Sequence, residues 1–405
     1  MGAPAILHTI RSVDPALGGP VEVVKQLAGI HREMGCTVEV ASLDTPGDAW
    51  VKDAPFPVHA LGTHGSSSSG YGSSPRFVPW LKENRKKYSA VISHGLWQYN
   101  NAGTWQALRG MDTPYYVFPH GMLDPWFKRA YPVKHMKKMI YWILRERHVL
   151  RDACAVLFTC EEERLLARNT FRPYHCEERV IPLGIAPPRL DEADRQRKVF
   201  FEEFPRLSGK RILLFLGRLH DKKGCDMLIP AFGRMAAESR EAFHLVMAGP
   251  CADAAYEGEL RRLAAAHCPA ESVSFPGMLS GDLKWGAFHA AEAFILPSHQ
   301  ENFGIAVVEA LACAVPVLIS NKVNIWREIA GDDAGIVQAD DVAGTQALLE
   351  KWGQLEGAGR ALMSAAALAC FKNRFQIQKT ARELLELIAS SATKAPSPHA
   401  TASNH

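Results

Sequence analysis

Two glutamates, Glu301 and Glu309, stand with seven residues between them in HQENFGIAVVEALACAVPV (His299–Val317). An arginine and a lysine, Arg218 and Lys223, stand with four between them in GRLHDKKG. The glutamate stretch reads as a strand end, a glycine loop and a helix start at Phe303-Gly304-Ile305. The free N–H groups of such a first turn, with the helix dipole, form an anion site. Gly304 removes the side chain where a phosphate has to come close. Arg218 and Lys223 follow another strand end, and cations at that spacing can clamp a diphosphate, the arginine as a fork and the lysine as a point charge. Taken alone, an R-x₄-K pair is solvated surface charge. Carboxylates make poor phosphate ligands but good acceptors for sugar hydroxyls on either side of a diphosphate: Glu309 for a ribose, Glu301 for a hexose. Glu309 lies about one turn inside the helix and faces roughly as Ile305 does, at about 100° per residue. Either glutamate alone is equally readable as a partner of the helix dipole. The pair, the glycine and the two cations together point to an activated sugar.

These groups need strand ends to carry them, and the chain supplies strands and helices in alternation. Ala5–Ile10 is an apolar run, broken by Pro15-Ala-Leu-Gly18-Gly19-Pro20; a helix pattern covers Val21–Met34, and Gly35 stops it before a strand at Thr37–Leu43. Gly18 and Gly19 either let backbone approach a ligand or simply make a tight turn; no G-x-G-x-x-G is present. The polar run Gly62–Pro75 reads as a disordered linker or an acceptor-side lid. Strands at Ala90–Ser93 and Pro114–Phe118 run into His94-Gly95-Leu96-Trp97 and His120-Gly121-Met122. Residues at these points in a parallel sheet line the ligand crevice, although a single histidine is often structural. Six further strands, from Arg211–Leu216 to Gly335–Gln338, alternate with helices in the second half, and a last helix covers Lys372–Ile388. The expected division is residues 1–185, a linker at 186–209 where prolines and charges leave no apolar period, a second domain at 210–370, a helix at 371–389 packing back on the first domain, and a disordered tail at 390–405.

Composition narrows the partners. The 405 residues suit two domains, and a net charge of +3 does not imply nucleic acid. Nine scattered cysteines without a C-x-x-C pair suit reduced cytosolic thiols and not a zinc site or a disulfide framework. No secretory signal and no membrane-spanning run is readable, so a cytoplasmic location is expected. Lys128 to Arg151 holds eight Lys/Arg and one Glu, a local +7, with Met136, Met139, Ile140, Ile143 and Leu144 at helical spacing. Residues 126–151 therefore read either as a helix docked on the sheet with a solvated basic face, or as one lying peripherally on the anionic inner face of the cytoplasmic membrane.

The combination of Gly217, Arg218, Lys223 and Gly224 with Glu301 and Glu309 resembles glycosyltransferase family 4. Gly18-Gly19 and His120-Gly121 match that family's first-domain loops, and HGLWQY with HGMLDPW resembles a bacterial polysaccharide-assembly branch. The resemblance implies the α/β GT-B fold, two Rossmann-like domains with parallel sheets facing across a cleft. It implies retaining, metal-independent transfer of a hexosyl group from UDP-hexose or GDP-mannose, with no cofactor beyond that nucleotide-diphospho-sugar donor. The implied acceptor is a glycan or polyprenyl-linked glycan in surface polysaccharide (exopolysaccharide or lipopolysaccharide) synthesis. In those terms Arg218 and Lys223 neutralise the leaving diphosphate, Glu309 holds the ribose, and Glu301 with the amides of Phe303, Gly304 and Ile305 holds sugar and phosphate. His120 reaches the sugar from the other domain. Three positions depart from the family pattern: Ala314 replaces a glycine before Pro316-Val317, Leu183 an asparagine in the interdomain motif, and Cys36 a histidine after Gly35. An epimerase on the same two-domain fold would need no acceptor, and a non-catalytic sugar- or lipid-binding protein would have no use for the whole set.

Overall fold

A computed structural model describes residues 4–63, 71–235 and 243–393. Residues 64–70 of the Gly62–Pro75 loop and the tail beyond residue 393 lie outside the described residues. The chain divides into two compact units, residues 1–183 with 377 onward, and residues 184–376.

The first unit is a seven-stranded sheet of β1 (Ala5–Ile10), β2 (Thr37–Ser42), β3 (Val58–Ala60), β4 (Ala90–His94), β5 (Tyr115–Phe118), β6 (Ala155–Phe158) and β7 (Glu178–Val180). The order is β3-β2-β1-β4-β5-β6-β7, and every pairing is parallel. The short β3 escapes a pattern reading because its three residues are half-buried at a sheet edge. Helix α1 (Gly19–Glu33) starts after Gly18, whose φ of 79° is open to glycine, and has Pro20 in its first turn. Helix α2 (Tyr99–Leu108) follows β4, α3 (Pro132–Tyr141) runs into a π-helical turn at Trp142–Glu146, and α4 (Glu161–Ala167) follows β6.

The second unit is a six-stranded parallel sheet of β8 (Arg211–Leu216), β9 (Phe243–Ala248), β10 (Val273–Gly277), β11 (Ala291–Leu296), β12 (Val317–Ser320) and β13 (Gly335–Gln338), in the order β10-β9-β8-β11-β12-β13. Strands such as RILLFL and VLIS are continuously apolar because helices cover both sheet faces.

The segment expected as a linker is folded. Helix α5 (Ala193–Glu203) within it packs on α7 (Gly281–Ala290), with α6 (Cys225–Gly233) between them in sequence. Phe200 is fully buried, and Arg195 bonds Asp282 at 2.8 Å. A Cβ on Gly286 would collide with the Gln196 carbonyl, so the two helices touch through a glycine. One apolar stripe among many charges sufficed, which is why the run read as structureless.

The single terminal helix of the sequence reading is two. After α8 (Ile305–Ala312), α9 (Gly357–Arg374) ends in the second unit and α10 (Ile377–Thr393) belongs to the first. There α10 lies on α1, where His31 Nε2 meets the Ala381 carbonyl at 3.1 Å and Leu385 packs with Val21, Val24 and Ala28. Residues 390–393, expected in a disordered tail, are helical.

Candidate functional site

In each sheet the strand order reverses once, between β1 and β4 in the first unit and between β8 and β11 in the second. Loops leaving the carboxyl ends of strands on either side of such a reversal diverge, and ligands of open α/β sheets sit in the crevice between them.

In the second unit the β8 loop carries Arg218 and Lys223 and the β11 loop carries Glu301. Ser298 Oγ and His299 N both donate to the Lys222 carbonyl at 2.9 Å, which ties the two loops together. Gly224 has φ 69°, and a Cβ there would strike the Pro297 carbonyl, so glycine is what lets them close. Lys223 consequently forms an ion pair with Glu301. Arg218 is exposed and lines a cavity of about 450 Å³ with Leu219, Asp221, Pro250, Asp253 and Tyr256. Gly304 caps α8 with φ 74°, and α8 begins at Ile305. The Phe303 side chain is buried and meets Phe375 edge-on, which leaves only its backbone for a ligand. Glu309 is almost buried and accepts a hydrogen bond from Lys284 Nζ at 2.7 Å. Lys284 was missed in the sequence because a lone lysine in the first turn of α7 carries no signal.

In the first unit Gly18 and Gly19 have open space around their α-carbons, and the positive φ at Gly18 is the structural reason for a glycine there. A cavity of about 200 Å³ between the β1 and β4 loops is lined by Arg11, Ser12, Leu17, Val21, His94 and Gln98 among others. His94 ends β4 fully buried, with His8 of β1 at 2.9 Å from its Nε2 and His120 at 2.9 Å from its Nδ1. Phe118 stacks on both His94 and His120. Burial pushes the His8 pKa down to about 3 and His120 to about 4; His94 falls well below the ordinary range from burial and from its two histidine neighbours. The three rings are neutral at pH 7.

Buried carboxylates hold the loops around this line. Glu163 accepts from Gly121 N at 2.6 Å and from the Thr159 amide and hydroxyl at 2.7 Å. Asp44 accepts from Ser12 Oγ, Val13 N and Trp50 Nε1 at 2.5, 2.9 and 2.9 Å. Glu146, fully buried in the π-helical turn, accepts from Trp97 N at 3.1 Å and Asn101 Nδ2 at 2.8 Å. Its burial raises the carboxyl pKa to about 7, against the pull of these bonds and of Lys138 and Arg145. None of these residues was singled out from the sequence. The available signals were weak: His8 is a polar residue in an apolar strand, and Glu146 is the one acid among eight cations.

Among the described residues, no group of three or more His, Cys, Asp or Glu is arranged to hold a metal ion, the nine cysteines are free, and no helix is long and apolar enough to cross a membrane.

Two doubly wound units, each with a crevice at its strand reversal, define a protein of the GT-B architecture. Anabaena HepE, solved with UDP and glucose, has that fold at a TM-score of 0.72 and 16% identity, over 96% of this chain and 100% of its own. WaaG, a glycosyltransferase involved in lipopolysaccharide biosynthesis, has it at 0.69 and 16% identity, over 95% of this chain and 99% of its own. Residues 196–366 match the family described as glycosyl transferases group 1, and residues 18–184 match the glycosyl transferase 4-like domain. The chain belongs to this glycosyltransferase family. Mannosylfructose-phosphate synthase of Agrobacterium fabrum is 27% identical over 265 residues, 62% of this chain and 57% of that protein. The chain spans about half the length of the curated relatives it matches.

Proposed function

We propose that this protein transfers a hexosyl group, with retention, from UDP-hexose or GDP-mannose to a glycan or lipid-linked glycan acceptor in surface polysaccharide assembly. The observation that carries the reading is the meeting of Lys223 with Glu301, next to the first turn of α8, at the strand reversal of the second unit. Before a donor binds, each candidate carboxylate is occupied by a lysine: Glu301 by Lys223 and Glu309 by Lys284. A diphosphate competes for Lys223 and draws on Arg218, and the α8 amides supply further donors. Glu301 is then free to accept a hexose hydroxyl and Glu309 a ribose hydroxyl. The bond between the anomeric carbon and the phosphate oxygen breaks as the acceptor hydroxyl attacks from the same face. The departing phosphate oxygen takes the acceptor's proton. Arg218 and Lys223 stabilise the charge that accumulates there, which is the office a metal ion fills elsewhere, and the reading assigns none. His120 is read as a further contact of the transferred sugar. HepE was solved with UDP and glucose and WaaG serves lipopolysaccharide biosynthesis, which favours a nucleotide donor and a surface-glycan product.

The test is a thermal-shift screen of UDP- and GDP-sugars, followed by nucleotide release with and without glycan acceptors. Release that requires an acceptor supports the reading; conversion of the donor sugar without one would establish the epimerase instead.

The acceptor side of this reading includes a cytoplasmic enzyme attached peripherally to an anionic membrane. Val133, Met136, Ile140 and Leu144 lie along one side of α3 and its continuation with 64–71% of their surface exposed, flanked by Lys134, Lys137 and Arg147. Such a stripe suits the headgroup boundary of a bilayer. Replacing Lys134, Lys137 and Lys138 with alanine should weaken sedimentation with phosphatidylglycerol vesicles; unchanged binding refutes the attachment.

A further inference from the structure

The three imidazoles form an unbranched line: His8 Nδ1 to His94 Nε2, then His94 Nδ1 to His120 Nε2, each 2.9 Å. A neutral imidazole has one N–H and one bare nitrogen. His94, with a partner at each nitrogen, must therefore donate at one and accept at the other, so the line has a single direction from end to end.

The two directions differ only in what they leave at the ends. If His94 donates toward His8, the His8 proton sits on Nε2, which is buried and has no hydrogen-bond partner among the described residues. That strands an N–H inside the protein, an arrangement folded proteins rarely tolerate and less readily than an unpaired acceptor. If His94 donates toward His120, the interior end holds only a bare nitrogen. The surplus N–H then falls on Nδ1 of His120, the one partly exposed ring of the three. The fixed ring planes support the same line, since Phe118 and His94 both stack on His120 within 20° of parallel.

We infer that His8 and His94 are positioning residues that set His120 as a hydrogen-bond donor through Nδ1, facing an oxygen acceptor on the ligand. The inference rests on the proposed contact of His120 with the sugar. It adds that this contact is a donated hydrogen bond and that His120 does not take the acceptor's proton, because the nitrogen it presents is already protonated. His94 holds the tautomer by accepting from His8 and donating to His120.

Two-bond proton–nitrogen correlations on protein labelled with ¹⁵N-histidine report which ring nitrogen is protonated. The expected spectrum at pH 7 has Nδ1–H and a bare Nε2 at both His94 and His120. An Nε2–H at His120 overturns the inference. The second variant is His94→Phe, which keeps an aromatic ring against Phe118 and His120 but has nothing to donate. It should turn His120 into a tautomer mixture and lower kcat about 10-fold, the scale of one hydrogen bond. The thermal shift given by UDP or GDP alone, which lacks the sugar, should not change. A His120 tautomer unmoved by His94→Phe also overturns the inference. Full turnover in His120→Ala would remove the proposed sugar contact while leaving the wild-type tautomer spectrum as it is, so the two readings fail separately.

Discussion

The two strand reversals use ionisable groups in opposite ways. At the β8/β11 reversal the groups are charged and paired, lysine against carboxylate, Lys223 with Glu301 across two loops and Lys284 with Glu309 across two helices. Such pairs can exchange, and a diphosphate is a better partner for Lys223 than a single carboxylate is. At the β1/β4 reversal, beside the half-buried Arg11, the groups are buried and neutral or bound to backbone amides: three histidines in line, and Glu163, Asp44 and Glu146 bracing the loops. One edge stores charge to meet a charged ligand, and the other fixes the direction of uncharged hydrogen bonds.

The sharpest break of this contrast comes at the exchangeable edge. Lys223→Ala and Glu309→Ala should each lower turnover at least about 100-fold, the scale of removing a group that stabilises charge in the transition state. Steady-state kinetics with a saturating donor would measure it. Near-normal rates in both variants would show that the paired charges hold the loops and not the donor, and the two edges would then differ less than argued.

The braced edge should instead show itself in stability, with Glu146 as the clearest reporter. Its carboxyl pKa is raised to about 7 from an ordinary value near 4.5. Between those values the folded protein keeps a proton that the unfolded chain has released, so this group's contribution to stability falls as pH rises from about 4.5 to about 7 and is level above that. The loss is on the order of 3 kcal/mol. His8, His94 and His120 act the other way. Their lowered pKa values mean the unfolded chain gains protons first, and stability falls as pH drops below about 6.5. Urea denaturation of Glu146→Gln and the parent at pH 5 and pH 8 separates the two. The histidine contribution is common to both, so the stability of the parent relative to the variant should fall between pH 5 and pH 8. An unchanged slope would mean that Glu146 ionises freely and that the loop after β4 is not braced as described.

The same contrast decides what could be read without coordinates. The second-unit site lies in two short stretches, so glycines, cations and carboxylates at fixed spacing announced it, and β8 was placed to the residue because its buried middle is an unbroken apolar run. What was missed there, Lys284, acts through a fold contact with Glu309 twenty-five residues away. The first-unit site is assembled from residues 8, 44, 94, 120, 146 and 163, and the histidine line joins residues 86 and 26 positions apart. His120 and His94 were visible as residues after strands and through the family resemblance, but the line they form with His8 was not. The helix α5 was lost because its single buried stripe around Phe200 is hidden among alternating charges, and the break at Phe375-Gln376 was lost because helical residues flank it on both sides.

Backbone strain gives the smallest and cleanest test. His120 and Trp97, both in loops of the braced edge, are non-glycine residues with φ of 51° and 67°; in the second unit Ala314 has φ 59°, in the turn between α8 and β12. The family resemblance implies a glycine where this chain has Ala314, and the positive φ gives a physical reason for one. An alanine held in the left-handed region costs about 1–2 kcal/mol, and glycine would return part of that to the greater freedom of its unfolded chain. Ala314→Gly should therefore raise stability by about 0.5–1 kcal/mol, read as a higher urea midpoint with an unchanged m-value. The backbone bonds at this turn, Ala314 N to the Leu311 carbonyl at 3.0 Å and Ser364 Oγ to the Ala314 carbonyl at 2.6 Å, need no side chain at residue 314. Turnover should stay at the parental level. His120→Gly relieves the same kind of strain but removes the ring, so it should lose turnover whatever happens to its midpoint. If Ala314→Gly instead lost activity, strain in the second unit would be serving the site too, and the division of labour between the edges would fail at its weakest point.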